Sequence, residues 1–540
     1  MKNYFLTTLF FVLFTMITNG QSFDWSTATG GGGSDQAYAI ATDNNGHSYV
    51  TGWFTGSAHF GDIVLNSEGG KDVFLAKYNS NGEVLWAKKA WGVASNSAAG
   101  ICLDWDGFPI ITGWFAENIH FDETVLESWG SYDMFVARYN SAGDVIWAKS
   151  AGGEGDDYGN RVTTNLEYDV LVSGSFRYTA HFGEETTVSS EGNRDIFIAN
   201  YSNVGNFHWV KRAGGEGEDR AYDIISGPDG STYFTGLFNG KAFFGDHDIM
   251  CSSLLGTFVA KMNAGGNFQW VKKGTGGAND YARGYGISMD GEGYVYSTGT
   301  FSGSMTFGEQ TVEASGGQYD FDVYITKHNH EGGLSWIKKG GGYGNDQGFD
   351  LFTNTGGDSF VTGFFSNVAE FGGQILESAG KSDVFIAKYN WAGEVEWLKL
   401  AGGEFQDYGY GISPGDAAEN NLYICGNFQE EAAFDDIILS NWGNFDMFTA
   451  ELNYDGDFVN EINTNKFSIS PNPSNGTFEI SLYALQDNIT LQIFSSDGKL
   501  VLEKKTSGKQ QSIIVKTDLA SGIYNLRIPE LSSNRKLVIR

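Results

Sequence analysis

The sequence predicts an all-β protein, a seven-bladed β-propeller of four-stranded antiparallel blades followed by a small Ig-like β-sandwich. Three observations carry that prediction. Trp25, Trp86, Trp147, Trp209, Trp270, Trp336 and Trp397 recur at spacings of 61, 61, 62, 61, 66 and 61 residues, and self-similarity at a fixed period marks a repeat architecture. Gly makes up 75 of 540 residues, Pro only 6 and aromatics 15%, which suits many short strands punctuated by glycine turns and does not suit a disordered chain. After Asn460 the rhythm stops and the charge balance reverses: residues 467–540 hold nine Lys or Arg against six Asp or Glu, in a chain of net charge −32.

Taken in order, the chain opens with Lys2, an apolar run from Tyr4 to Ile17, and Thr18, Asn19 and Gly20. This is the order of a secretory signal peptide, expected over residues 1–20, and the run is too short to span a bilayer, so no transmembrane segment is expected. The propeller is expected over 21–460. Ten residues after each framework Trp stands Asp35, Asn96, Asp157, Asp219, Asp280, Asp346 or Asp407. A small-residue strand follows (Ala37 to Asp43), then a strand of the YVTGWF kind (Tyr49 to Phe54), an AHFG-type segment, and a strand pair such as Asp72 to Asn79 with Glu83 to Lys89.

Period-2 alternation with Gly or Asn at the turns makes each unit a meander. A lone meander cannot bury both faces, so neighbours stack and seven close a ring. The Gly- and Ala-rich first strand suits the crowded axis, and the Trp belongs on the outer strand between blades. Phe23 to Ala28 has the outer-strand sequence without preceding partners and is expected to complete the last blade, with Asp457 to Asn463 as its rival. On these residues the units resemble the bacterial β-propeller repeat family, a resemblance that implies a fold and no particular activity.

Residues 461–466 read as a linker. From Phe467 onward, short alternating strands are separated by Pro-Asn-Pro, Asp-Gly and Ser-Gly turns. Three ordered motifs, Pro471-Asn472-Pro473 with Gly476, Asp497-Gly498-Lys499 with Val501, and Gly522-x-Tyr524 with Leu526 and Arg527, resemble the type A sorting domain of the type IX secretion system of Bacteroidetes. The resemblance implies that 467–540 engages that secretion machinery, carries the folded cargo across the outer membrane and is then removed, leaving the cargo surface-anchored or released. An accessory Ig-like domain is the other reading.

The acidity outside the tail argues against nucleic acid and anionic lipid as partners. Cys102, Cys251 and Cys425 are scattered and odd in number, so they read as structural. Both recurring acidic series, the one above and Asp72, Asp133, Asp195, Asp322, Asp383 and Asp446, are expected to satisfy backbone N–H groups. The turns Asp104 to Gly107 and Asp290 to Gly293 are similar to calcium loops but lack the later ligands; no cofactor is expected, with calcium left open. His59, His120 and His181 fall in successive blades and do not suggest a shared metal, and His328 and His330 lie on a turn without a third ligand.

Departures from the repeat are more telling. Trp53, Trp91, Trp105, Trp114 and Trp129 crowd the first two units, where Trp91 and Asn96 also replace the usual Gly and Asp. Trp91, Trp105, Trp53 and Trp114 with Asn96 form the candidate ligand-binding set, since indole faces stack on sugar rings; blade-to-blade packing is the competing reading. No catalytic motif stands out. The expected function is a non-catalytic, exported scaffold binding an extracellular glycan or protein. The alternatives are a secreted polysaccharide-degrading enzyme with carboxylates at the channel mouth and a structural or adhesive surface protein.

Overall fold

The computed structural model describes residues 21–317, 320–415, 420–454, 467–470, 476–487, 489–495, 499–506, 508–520, 522–528 and 533–539. The signal segment, the linker, Pro471, Asn472, Pro473, Asp497, Gly498 and the rival closing segment 457–463 lie outside the described residues. The chain divides into two compact bodies, Met1–Asp455 and Gly456–Arg540, and every regular element among the described residues is a β-strand.

Among the described residues the first body holds seven four-stranded antiparallel meanders. The first is built from Gln36–Thr42, Ser48–Phe54, Asp72–Tyr78 and Val84–Ala90. Its second and third strands are buried at every position, because a neighbouring sheet covers each face, and they are accordingly apolar or small except at Asp72 and Lys77 near the ends of the third. First strands lie beside first strands from repeat to repeat, and that of the seventh, Tyr408–Pro414, lies beside that of the first. The seventh sheet takes its fourth strand from the N-terminal side: Ser22–Gly31 runs antiparallel to Asp446–Asn453, with Trp25 opposite Glu451. The outer-strand sequence at Phe23 to Ala28 therefore does complete the last sheet.

Each repeat also inserts a two-stranded hairpin between its second and third strands, Ser57–Phe60 with Ile63–Asn66 in the first. The hairpin straps onto the preceding sheet, with Gly30 opposite His59 and Gly31 opposite Ala58, and the pairing recurs as Gly152 with His181, Gly214 with Phe243, Thr275 with Thr306 and Gly341 with Glu370. The AHFG-type segment thus belongs to the contact between repeats. Four residues of alternation do not reveal which sheet they will join.

Five of the framework Trp residues, Trp25, Trp86, Trp147, Trp270 and Trp336, hold the opposite end of their junctions through the indole N–H. The indole N–H of Trp25 donates to the Ser80 carbonyl (2.9 Å), that of Trp86 to Ser141 (3.1 Å) and that of Trp147 to Asn203 (2.9 Å), each in the last turn of the next repeat. Gly82 in that turn has φ +78°, and a Cβ on it would fall 2.5 Å from the Trp25 ring, so a left-handed glycine lets the turn lie flat on the indole.

Beside five of the seven straps two carboxylates converge on one glycine. Asp133 begins a third strand, Asp157 precedes the next first strand, and the Asp157 N–H donates to the Tyr132 carbonyl at 2.7 Å. A Cβ on Gly152 would stand 2.5 Å from Asp133 Cγ and 2.8 Å from Asp157 Oδ2. The same trio recurs as Asp446, Asp35 and Gly30; Asp195, Asp219 and Gly214; Asp322, Asp346 and Gly341; and Asp383, Asp407 and Gly402. Asp157 accepts the N–H groups of Gly153 and Arg177. Asp133 accepts that of Trp129 through Oδ2, while its Oδ1 is buried without a hydrogen-bond partner, as are the Oδ1 atoms of Asp195, Asp322, Asp383 and Asp446.

Burial, reinforced by the facing carboxylate, pushes Asp35, Asp157, Asp219, Asp346 and Asp407 up to about 7. Burial likewise pushes Asp133, Asp195 and Asp446 up to about 6 and raises Asp322 and Asp383. Two carboxylates in one dry site do not both ionise readily, so each pair retains a proton well above the ordinary carboxyl range.

Two junctions lack the pair. Trp91 takes the glycine position where Asn96 replaces an Asp, and Thr275 takes it where Gly256 replaces the third-strand Asp. Asp280, alone at the second of these, is opposed by burial yet held below its ordinary value by the N–H groups of Ser304 and Gly277.

The second body has a sheet of Phe467–Ser470, Thr477–Asp487 and Lys509–Lys516 and another of Leu500–Lys505, Thr490–Ser495, Gly522–Ile528 and Ser533–Ile539. Phe478, Ile480, Ile513 and Val515 from the first share one core with Leu491, Ile493, Leu526 and Ile539 from the second.

A carboxyl whose pKa is higher in the folded chain favours folding fully below about pH 4 and loses that contribution as the pH rises through about 6 to 7. Asp43, Asp229 and Asp280 are lowered and act in the opposite sense, their contribution being lost as the pH falls below about 4. Thermal melts are therefore expected to peak at mildly acidic pH and to lose several degrees between about pH 5 and 8. Asp157→Asn removes one of the ten raised carboxyls of the five pairs and should make that fall shallower by about a tenth; an unchanged slope would count against proton retention at the pair.

Candidate functional site

The structure separates the candidate tryptophans. Trp53 is buried, with the Lys71 ammonium 3.6 Å from its ring centroid. Asn96 is buried at the same junction, its N–H donating to the Lys71 carbonyl at 2.8 Å. Trp114 is half-buried, edge-on to Tyr132 at 4.9 Å and Tyr158 at 6.0 Å. Trp91 lies stacked on His120, 5.5 Å apart and 12° from parallel. These four share the end of the sheets where first strands begin and second strands finish. Trp105 is at the other end, in the turn between first and second strands, 57% exposed, with its indole N–H on the Asn165 carbonyl (2.8 Å) and Tyr168 6.2 Å away. The five residues do not form one site.

A cleft does form nearby around residues outside that set. Trp129 follows the strap strand Thr124–Glu127, Glu154 follows the fourth strand Val145–Gly153, and Tyr178 and His181 lie on the next strap. With Gly153 and Thr179 they line a cavity of about 300 Å³, at the small end of the about 300–1,000 Å³ usual for ligand sites. Trp129 and Tyr178 are 55% and 57% exposed, and His181 stands edge-on to Trp129 at 5.0 Å. The Trp129 N–H donates to Asp133 Oδ2 at 2.9 Å, so the acidic pair anchors the loop that carries the indole.

Tyr178 has φ +62°, at a strap position where other repeats place Gly56, Gly240, Gly303 or Asn367. An aromatic residue held left-handed is a strained choice with no role in the sheet. The repeat register could have flagged Tyr178, because the position otherwise carries Gly, Asn or Glu. Trp129 gave only the weaker signal of an extra Trp.

The first strands carry the second feature. Every first strand carries a β-bulge, and the extra residue is Tyr38, Ala99, Asn160, Tyr222, Tyr285, Phe349 or Tyr410. A bulge re-aims a side chain, and these meet around the axis. The expected small-residue strand is thus interrupted by an aromatic ring at five of seven bulges, although Gly or Ala precedes the bulged residue in every first strand. Below these rings Arg161 lies between Asp223 (3.6 Å) and Asp350 (3.5 Å). Burial, opposed by Arg161, pushes Asp223 up to about 7. Asp223 accepts the Ile287 N–H and Asp350 the Ile412 N–H, each from the following repeat.

The turn carboxylates reminiscent of calcium loops are already engaged. Asp104 Oδ1 accepts the N–H groups of Asp106 and Phe108, and its Oδ2 pairs with Arg138 at 2.6 Å. Asp290 accepts from Glu292, Tyr294 and the Tyr296 hydroxyl. Among the described residues, no three His, Cys, Asp or Glu side chains gather into a metal-holding group. His328 is fully buried, and burial lowers it to about 4.

In the second body Gly476 has φ +92° and its carbonyl accepts the Thr517 N–H at 2.8 Å, while the Tyr524 hydroxyl donates to the Ala520 carbonyl at 2.8 Å. Lys499 and Arg527 are exposed.

Residues 468–540 match the family described as the secretion system C-terminal sorting domain. The chain is also similar to proteins of distant kinds. It is 23% identical over 200 residues to an uncharacterized WD repeat-containing protein of Acanthamoeba polyphaga mimivirus, covering 31% of this chain and 14% of that protein. It is 23% identical over 361 residues to the regulatory protein FlaEY of Caulobacter vibrioides, covering 62% of this chain and 37% of that one. The chain thus spans well under half the length of these relatives. A solved member of the DUF4221 family from Bacteroides vulgatus aligns over 80% of this chain and 97% of its own at 9% identity and a TM-score of 0.29.

The C-terminal match places the protein among cargo of type IX secretion, exported to the cell surface or extracellular space with removal of the tail. Among the described residues no helix is long and apolar enough to cross a membrane. A chain lacking Phe467 to Arg540 is accordingly expected to accumulate in the periplasm, read by fractionation and surface labelling; surface delivery at the level of the intact chain would contradict the assignment.

Proposed function

We propose that the first body is a seven-bladed β-propeller serving as an exported, non-catalytic scaffold, and that it binds an extracellular glycan, or a protein bearing one, through the end of the sheets that carries the Trp129 cleft. The observation that supports this reading is the pair of exposed rings, Trp129 and Tyr178, framing a cleft with Glu154 and His181 at hand. Flat apolar rings stack on the C–H faces of sugars, and carboxylate and imidazole groups exchange hydrogen bonds with hydroxyls. The closed cycle of first strands and the N-terminal completion of the seventh sheet support the propeller reading. So does the mimiviral relative's name, since WD repeats build propellers.

On this reading Trp91 and Trp114 extend the binding face, Trp53 and Asn96 support it from beneath, and Trp105 with Tyr168, at the opposite end, lies outside it. A reading as a polysaccharide-degrading enzyme has less support, because the acidic pairs are enclosed at junctions and the axial carboxylates are tied to Arg161.

Glycan-array binding by the full-length chain should fall roughly fivefold to tenfold on Trp129→Ala or Tyr178→Ala, the loss of one stacked ring. Trp105→Ala should leave it unchanged. Equal binding by all three variants would reject the cleft, and sustained release of reducing ends from the bound glycan would replace scaffold by enzyme.

A further inference from the structure

We infer that the mouth of the ring axis is a second site, built for a carboxylate-bearing sugar, with Arg283 as the carboxylate receptor and the aromatic arc as the wall on which the sugar ring lies. The inference deepens the scaffold reading and rests on it for the class of ligand, but it concerns residues separate from the Trp129 cleft.

The wall is continuous on one side. Ring centroids of successive repeats lie 5.2 Å apart from Tyr222 to Tyr285, 5.5 Å from Tyr285 to Phe349, 4.9 Å from Phe349 to Tyr410 and 5.3 Å from Tyr410 to Tyr38. Every one of these rings is only half-buried, although each sits on the innermost strand of its sheet, so space remains in front of them. The cycle is opened at Ala99 and Asn160, where the side chains are short. Seven rings would fill the axis; five rings and a gap leave a one-sided groove.

Arg283 stands two residues before Tyr285 at the start of its strand. Its neighbour at the equivalent position of the preceding repeat, Arg220, is pinned by Glu218 at 2.7 Å. Arg283 makes no ion pair with any described carboxylate. Its polar contact among the described residues is a long one, 3.4 Å, to the Tyr285 hydroxyl, and its Nε is buried without a partner. In a chain with 66 acidic against 34 basic residues, a half-buried guanidinium without a counter-ion at the convergence of seven strands is an unmet demand. The planar fork of donors fits a carboxylate bidentately, and an unsatisfied buried donor is costly until it is met.

The two requirements together select the ligand. A rigid ring with apolar C–H faces suits the Tyr and Phe wall, a carboxylate suits Arg283, and hydroxyl groups suit the Tyr hydroxyls of the wall and the Oδ1 of Asn160, whose amide N–H is held by the Ala221 carbonyl. A uronic acid residue in an oligosaccharide carries all three. The axial carboxylates Asp223 and Asp350 do not compete for it, because Arg161 and backbone N–H groups already occupy them.

The test is calorimetric binding of a galacturonate tetramer, a galactose tetramer and an oligoglutamate peptide to the full-length chain and its variants. The uronate tetramer should bind and the neutral tetramer should bind at least tenfold more weakly. Arg283→Gln should abolish that preference, Arg283→Lys should retain part of it because the charge remains without the fork, and Tyr285→Ala should weaken uronate binding several-fold. Matching thermal melts show that the variants fold. Arg283→Gln should remove the uronate-over-galactose preference while Trp129→Ala keeps it, whatever Trp129→Ala does to overall affinity, so failure here is distinguishable from failure of the cleft. Absence of uronate binding, indifference to Arg283→Gln, or equal binding by the peptide would each overturn the axial site.

Discussion

The architecture depends on what holds one sheet to the next. A single four-stranded meander exposes two apolar faces, and closing them requires that adjacent sheets come within backbone contact at both ends. At one end an indole N–H reaches a carbonyl in the neighbour's turn, and a left-handed glycine lets the turn approach. At the other, two carboxylates and a glycine pack where a strap crosses between sheets. The cost of burying two acidic groups is met by backbone N–H groups that would otherwise be unpaired, and by a retained proton.

The glycine and the carboxylate pair are physically exclusive of a side chain. Five junctions have all three, and at each of them an added Cβ would come within 3.0 Å of a carboxyl atom. The two junctions with Trp91 or Thr275 in place of glycine are the two in which one carboxyl is missing. This joint change explains why the first-to-second junction reads as irregular: a large side chain enters only where the acidic packing has been relaxed. The released space carries Trp91 and His120, and the next junction, with its pair intact, presents Trp129 from a loop tied to Asp133.

Function on this frame is carried by positions that the sheets do not use. The strap turn tolerates Tyr178 because its left-handed residue points to solvent. The bulge residue of each first strand is unpaired in the ladder and turns to the axis, so its identity varies freely between Tyr, Phe, Ala and Asn without disturbing the sheet. Repetition sets the geometry, and departures at these free positions give the surface its chemistry.

The Trp spacing, the glycine turns and the alternation by themselves determined an all-β repeat chain and the outer-strand place of the tryptophans, and narrowed the completion of the seventh sheet to Phe23 to Ala28 or its rival Asp457 to Asn463. The ordered motifs from Pro471 to Arg527 pointed to the export signal. Each of these is a local or periodic property, readable wherever a pattern repeats or a motif is contiguous. The straps, the facing of Asp133 with Asp157, the separation of Trp105 from Trp91, and the turning of Tyr285 toward Arg283 at the axis were decided only by tertiary structure. They join residues of different repeats, or hinge on one bulged residue that reverses which side of a strand faces inward, and a strand's own sequence carries no record of either.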